Sequence, residues 1–325
     1  MKTRYWIGLS AVSAAAVAWM KVARPSFKRY RLELPTGGGS ADIKGGSVRF
    51  IGTATTLIEC AGMTILTDPN FLHRGEQVHI GYGLHSTRLT DPAMDFEELP
   101  PIDFVLLSHL HEDHFDKLVE RKLPRDTPIL TTASAARILT RRGFTRSCGL
   151  RTWDSVFVTK GEASLRVTSM PGRHGPLLVS AFLPDVMGSM LEFRTDRGAT
   201  GYNLYISGDT LFIRDLLEIP ERYPDVDLAL LHLGGTRVLG VLVTMDAGQG
   251  IQAAKTIAAH RTIPIHFNDY DVFRDPLDNF VRAVKEAGLQ ERVRYLRAGE
   301  RYAFGLRSLY MTDQPVTLQS NVVSS

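Results

Sequence analysis

Short apolar runs broken by Gly, Asp and Pro dominate the chain from residue 47 onward. Runs at 48–51, 55–59, 64–67 and 104–108 have the length of strands, and the turn residues between them predict strands and hairpins. A second block repeats the theme at 164–168, 190–194, 203–206, 228–231 and 263–266, with a last strand expected at 293–296. Helical periodicity appears at 134–141, 276–287 and 247–259; in the last, Ile251, Ala254, Ile257 and Ala258 recur at three- and four-residue steps. Two blocks of mixed strands with helices outside them predict a layered α/β sandwich. No repeat of fixed period interrupts this pattern.

The N-terminus follows a different rule. Residues 5–20 are uncharged, rich in Ala and Val, and carry Trp6 and Trp19 near their ends. As a helix they would reach about 24 Å, a little short of the ~30 Å hydrocarbon core of a bilayer; Arg4 and Lys21 can snorkel across the difference. Residues 1–32 are therefore expected to be a membrane anchor. Two alternatives stay open: an export signal with Ala16-Val17-Ala18 as its cleavage site, and an organellar presequence. The five basic residues from Lys21 to Arg31 favour retention on the cytoplasmic side. Residues 33–46 read as a flexible linker, 47–310 as the folded domain, and 311–325 as a C-terminal tail.

Composition narrows the class. With 325 residues, 44% hydrophobic and 22% charged, the chain can bury a large core, which excludes a disordered or collagen-like protein. Its two cysteines, Cys60 and Cys148, form no Cys-x-x-Cys pair, so neither a thiol redox site nor a cysteine-rich zinc module is expected. The net charge of +3 is misleading. Residues 1–32 hold seven Lys/Arg and no acid, leaving 31 basic against 35 acidic residues, or −4, in the rest. A slightly acidic body is a poor partner for a phosphate backbone, so no nucleic-acid partner is expected.

The candidate chemistry lies at 108–116, Ser-His-Leu-His-Glu-Asp-His-Phe-Asp, at the end of an apolar strand. A single histidine there would be satisfied by one or two hydrogen bonds. Three histidines and two aspartates together carry a large desolvation cost that a cation offsets. Imidazole and carboxylate without thiolate suit zinc, with iron or manganese as alternatives, and residues i and i+2 of an extended segment converge on one ion.

The string His109-x-His111-x-Asp113-His114 resembles the signature of the metallo-β-lactamase superfamily, which implies a four-layer αββα fold with its metal site at the edge between two sheets. The family needs three further ligands, and His174, Asp209 in Ser-Gly-Asp-Thr, and His266 in Ile-Pro-Ile-His stand in the expected order. The resemblance, spanning about residues 48–305, implies two zinc ions. By this likeness His109, His111 and His174 hold one, Asp113, His114 and His266 the other, and Asp209 bridges them. It further implies hydrolysis of an ester-like bond by a metal-bridging hydroxide, with Asp113 as the catalytic carboxylate. His111, where oxygen-reducing diiron relatives carry Glu, argues for hydrolysis over redox chemistry.

Within the superfamily, 52–58, 66–71, 99–109 and Phe115-Asp116 resemble the group of N-acylphosphatidylethanolamine phospholipase D and ascorbate-6-phosphate lactonase. This likeness implies a lipid or small-molecule substrate and places Asp68 beside a ligating histidine. Phe-Asn-Asp-Tyr after His266 and His-Leu-Gly-Gly after Leu231 depart from the group on what is expected to be the substrate side. Three further features bear on substrate. The stretch 71–90, with His73, Arg74, His79, Tyr82, His85 and Arg88, reads either as a cover for the site that binds an anion or as a solvated loop. Residues 177–191, ten of fifteen apolar, read as an acyl-chain wall or as core. His232 reads as an oxyanion donor or a structural histidine, and His260 as a helix C-cap. The competing functional classes are a non-catalytic membrane-tethered metal-binding scaffold and a nuclease of the same superfamily. The sequence says nothing about oligomeric state.

Overall fold

The computed structural model describes residues 27–36, 45–81, 83–194 and 200–306. Two seven-stranded sheets face each other. One runs, edge to edge, Arg301–Gly305, Gly45–Gly52, Thr55–Cys60, Met63–Thr67, Phe104–Leu106, Ile129–Thr132, Ser147–Leu150. The other runs Arg29–Glu33, Ser155–Lys160, Ala163–Met170, Gly188–Arg194, Thr200–Ile206, Leu228–His232, Arg261–Ile265. Each starts with antiparallel hairpins and ends in parallel strands, apart from the parallel edge pair Arg29–Glu33 and Ser155–Lys160.

Two-residue alternation explains the layering. In Leu228–His232, Leu228 and Leu230 enter the core between the sheets, while Ala229 and Leu231 face outward to helices Ala247–Ile257 and Leu277–Glu286. Phe104–Leu106 alternates in the same way. Phe104 and Leu106 point between the sheets, and Val105 packs outward with Val119 of helix Lys117–Lys122 and Leu139 of helix Ala133–Arg141. Apolar residues on both faces of one strand require cover on both sides. Helices outside two sheets are the consequence, and the predicted αββα sandwich is what the chain forms.

Some expectations change. The anchor segment 1–32 lies outside the described residues except at its end, where Arg29–Glu33 is an edge strand rather than a membrane flank. Tyr30 and Leu32 pack on the core and Leu34 is buried, while Arg29, Arg31 and Glu33 stay exposed. The folded domain therefore starts before residue 47, and the linker shrinks to the stretch around 37–44, which lies outside the described residues, as does the tail 311–325. Among the described residues no helix is long and apolar enough to cross a membrane. The strand expected at 293–296 reduces to one bridge between Thr262 and Val293. His260 is no C-cap: the helix before it ends with Ala258 in the left-handed conformation, and the His260 ring pairs with Asp225 at 2.9 Å.

The stretch 71–90 is not an open loop. It contains the hairpin Gln77–His79/His85–Thr87, pinned by Ser86 Oγ donating to Asp271 (2.7 Å) and Leu89 N–H donating to the Asp269 carbonyl (2.8 Å). Arg88 is fully buried and donates to the Asn70 side chain and the Thr90 carbonyl, so it holds the hairpin from within.

Candidate metal centre

The carboxyl ends of neighbouring strands converge at one edge of the sandwich. In one sheet Met63–Thr67 leads into Asp68, and its parallel neighbour Phe104–Leu106 leads into Ser108 and His109. In the other sheet, Thr200–Ile206, Leu228–His232 and Arg261–Ile265 lie side by side and end near Asp209, at His232 and at His266. Gly208 makes this meeting possible. Its φ is +63°, and a Cβ there would lie 2.6 Å from the Met187 carbonyl oxygen and 3.1 Å from Ser108 Cβ. Asp68 (φ +37°) and His266 (φ +62°) also occupy the left-handed region, which costs on the order of 1–3 kcal/mol per residue and persists only where surroundings enforce it. Hydrogen bonds from His266 N–H to the Thr53 carbonyl (2.6 Å) and from Asp68 N–H to the Leu106 carbonyl (3.1 Å) do so.

Among the described residues three groups of donor atoms result, each within 4.8 Å of its members: His109, His111, His174; Asp113, His114, Asp209, His266; and Asp68, His114, His232, which shares His114 with the second. In the first, His109 Nε2 lies 3.0 Å from His111 Nδ1. In the second, His114 Nε2 and His266 Nε2 are 3.2 Å apart, and each is 3.5 Å from Asp209 Oδ2 and 3.7 or 3.5 Å from Asp113 Oδ2. A tetrahedral ion with bonds of about 2.0–2.1 Å needs donors about 3.4 Å apart. The outer ring nitrogens are engaged elsewhere. His174 Nδ1–H donates to the Val243 carbonyl (3.0 Å) and His266 Nδ1–H to the Leu233 carbonyl (3.1 Å), while His114 Nδ1 faces Asp68 Oδ2 (3.4 Å) and His109 Nδ1 faces Ser108 Oγ (3.0 Å). Each of these contacts leaves Nε2 as the inward lone pair. Asp113 Oδ1 and Asp209 Oδ1 are buried with no hydrogen-bond partner. Orphaned carboxylate oxygens among convergent imidazoles are what a dication satisfies, so the residues present fit the metal that the sequence implies.

The electrostatics divide the cluster. Burial pushes His109 well below the ordinary imidazole value, His111 to about 3, and His174 and His232 downward, favouring the neutral form that ligates. Burial also opposes charge on His114 and His266, but Asp209 and Asp113 overcome it, joined at His114 by Asp68, and both pKa values rise. Desolvation works against ionisation of Asp113 and Asp209, yet the neighbouring histidines hold Asp113 at about 2 and Asp209 well below the usual range.

All seven predicted ligand positions meet here. Asp68 lies directly behind them: it accepts from Ser108 N–H (2.7 Å) and touches both His114 and His232. We expect Asp68→Asn to weaken metal affinity by about 10–100-fold with little change in circular dichroism; equilibrium dialysis against a metal buffer measures it, and unchanged affinity would remove Asp68 from the support of His114. His232 is fully buried between Asp68 and Ser207, so it orients Asp68 and does not reach an oxyanion. His79 and His85 meet edge to face across the hairpin at 5.3 Å and belong to no donor group, although His79 lines a cavity of about 520 Å³ with His111. The segment after His266 turns toward the 71–90 hairpin, with left-handed backbone at His266 and Asn268. Asp269 accepts from Thr53 N–H and Thr90 Oγ1, its carbonyl accepts from Leu89 N–H, and Asp271 N–H donates to the Thr87 carbonyl, clamping the 71–90 hairpin. The stretch 177–191 divides: Met190 and Leu191 are core, whereas Leu177 and Leu178 on helix Leu177–Ser180 are exposed.

Sequence reasoning missed three supports. Thr244 Oγ1 donates to Asp209 Oδ2 (3.0 Å), the Val243 and Leu233 carbonyls fix two imidazoles, and Asp116 caps Lys117–Lys122 while accepting from Phe71 and Leu72 N–H. Backbone acceptors have no residue-type signature, but Asp116 stood in the motif itself.

Residues 64–267 match a family model described as a beta-lactamase superfamily domain. A UPF0173 metal-dependent hydrolase of Archaeoglobus fulgidus is 30% identical over 207 residues, covering 62% of this chain and 82% of the relative. Another from Hyperthermus butylicus is 27% identical over 267 residues, covering 80% of this chain and 100% of the relative. Among solved structures, an isothiocyanate hydrolase from Delia radicum gut bacteria superimposes with a TM-score of 0.68 at 19% identity, covering 80% of this chain and 99% of that one. CmlA, a diiron β-hydroxylase from Streptomyces venezuelae, gives 0.57 at 18% identity, covering 81% and 54%. These two likenesses establish fold alone.

Proposed function

Because the chain belongs to the metallo-β-lactamase superfamily and is a metal-dependent hydrolase, we propose that it cleaves an ester-like bond (phosphodiester, lactone or lipid ester) with two zinc ions. The observation that carries this reading is the pair of adjacent donor groups, His109/His111/His174 and Asp113/His114/Asp209/His266, built entirely from imidazole and carboxylate. The first three histidines would hold one ion and Asp113, His114 and His266 the other, with Asp209 placed to serve both. Bound zinc supplies Lewis acidity and brings the pKa of a water toward neutrality. The chain's own residues do the rest. The Val243 and Leu233 carbonyls and Asp68 keep three imidazoles in one tautomer and orientation, and Thr244 fixes one oxygen of Asp209. Asp113 Oδ1, buried and without a donor, is placed to orient the attacking water and take its proton.

Imidazole and carboxylate donors also accept manganese or iron. The test is turnover of bis(p-nitrophenyl) phosphate, a lactone panel and p-nitrophenyl esters by the chain loaded in turn with zinc, manganese and ferrous iron. The expected result is turnover of one class, fastest with zinc; no turnover in any combination overturns the proposal. Kinship with the phospholipase D and lactonase group belongs to the same proposal, supported by the sequence elements around 66–71 and 99–109.

A membrane tether through residues 5–20 is also proposed, supported by their apolar sequence and basic flanks. The full chain is expected to pellet with membranes and resist carbonate extraction, and a chain lacking residues 1–26 to be released. Extraction of the full chain by carbonate would contradict the tether.

A further inference from the structure

His111 and His174 belong to one donor group but open on two different cavities. The cavity at His174, about 450 Å³, is lined by Arg137, Arg151 and Arg173 and by Ser134, with Asp185 as its one acid. Some arginines elsewhere in the molecule are paired with acids: Arg142 with Glu120, Arg166 with Glu192, Arg222 with Glu218, Arg301 with Glu59. The three in this cavity are not. Among the described residues Arg137 and Arg151 have no carboxylate partner, and Arg173 donates only Nε–H, to the Gly175 carbonyl at 3.3 Å, leaving its terminal amino groups open. Three guanidinium groups against one carboxylate leave two positive charges in a recess that already contains a residue of the metal centre. Like charges gathered in this way repel one another until an anion joins them.

The recess adds a further donor. Ser134 lies in the first turn of the nine-residue helix Ala133–Arg141, whose N-cap Thr132 satisfies only Ala135 N–H, so first-turn amides remain for an anion. Arg137 extends from the next turn of the same helix, and Arg151 from the turn after Ser147–Leu150. Guanidinium groups present planar pairs of N–H donors that match phosphate oxygens in two-point contacts.

We propose that this cavity binds a phosphate monoester dianion carried by the substrate, placing the bond to be cleaved beside His174. As a substrate site it rests on the hydrolase reading above; as an anion site it does not. The second cavity, at His111, is lined by Leu110, Ile80 and Leu183 and takes the remaining, less polar part of the molecule.

Calorimetric titration of inorganic phosphate into the metal-loaded full chain tests the site. Arg137→Gln and Arg151→Gln are each expected to weaken binding by about tenfold, the worth of one charge-assisted contact. Asp185→Asn, which removes the opposing charge, is expected to strengthen it. His111→Ala, which disrupts the metal centre from the other side, is expected to leave phosphate binding in place. Wild-type affinity in both arginine variants, or loss of binding in His111→Ala, would show that phosphate sits on the metal and would overturn the proposal. Vesicles of phosphatidylcholine with and without phosphatidic acid separate the two sources of the group. Arginine-dependent binding of soluble phosphate assigns a free phosphorylated substrate; binding confined to phosphatidic acid vesicles, again arginine-dependent, assigns a lipid headgroup. Binding of neither overturns the site. An absence of turnover on every ester, with arginine-dependent phosphate binding intact, counts against the hydrolase reading and not against the cavity.

Discussion

Asp209→Asn is expected to lower turnover by roughly a thousandfold and to reduce metal content, with circular dichroism unchanged. Asn keeps the size of Asp and still accepts a hydrogen bond from Thr244, which now reaches Oδ2 at 3.0 Å. What it loses is charge. That charge acts on His109 and His174 of one donor group and on His114 and His266 of the other. The variant should therefore lose more than either single-group substitution, His111→Ala or His266→Ala. Steady-state kinetics with metal analysis on the same preparation checks this. Asp209→Asn with full metal content and activity within tenfold of wild type would show that the two groups do not share this carboxylate.

Removing the metal by chelation should lower the melting temperature by about 10 °C or more, taking a binding stabilisation of about 4 kcal/mol and a domain of this size. The pH profile should change as well. In the metal-free chain His114 and His266 have raised pKa values. Their contribution is complete below the ordinary imidazole value of about 6.5 and is lost as pH rises through the raised values. His109, His111, His174 and His232 are lowered instead. Their contribution is present above about 6.5 and is lost as pH falls toward the depressed values, about 3 for His111. Opposite signs on either side of about 6.5 give the chelated chain a stability maximum near that pH. With metal bound, stability should hold above it, because ligation needs neutral imidazole and protons compete with the ion only on the acid side. Differential scanning calorimetry across pH, with and without chelator, measures both curves; superimposable curves would sink this account of the cluster.

The sandwich was legible where apolar runs were long or strictly alternating. Leu228–His232 and Phe104–Leu106 are apolar on both faces because helices cover the outer one. Arg29–Glu33 was not legible: its alternation of Tyr30 and Leu32 with Arg29 and Arg31 sits inside a basic stretch that reads equally well as an anchor's flank. Ile129–Thr132 and Ser147–Leu150 are four-residue strands with Ser, Thr and Gly among them, too short for periodicity to distinguish from loop. At the site, the ligand-type residues declared themselves through clustering at strand ends. Their supports did not, since carbonyls of Val243 and Leu233 act through backbone whatever the side chain. Phe267-Asn-Asp-Tyr270 has a structural role that its position did not show. Adjacency to His266 suggested contact with substrate; the left-handed turn at His266 and Asn268 also carries the segment back to the 71–90 hairpin.

The most direct test of the central claim, two metal groups joined by one carboxylate, is metal content per chain by inductively coupled plasma mass spectrometry on the full protein, with turnover of the ester panel measured on the same sample. The account predicts about two ions per chain, as in two-metal hydrolytic sites, and turnover that disappears and returns with them. Less than one ion per chain after saturation with zinc, manganese or iron, together with no turnover, would contradict it.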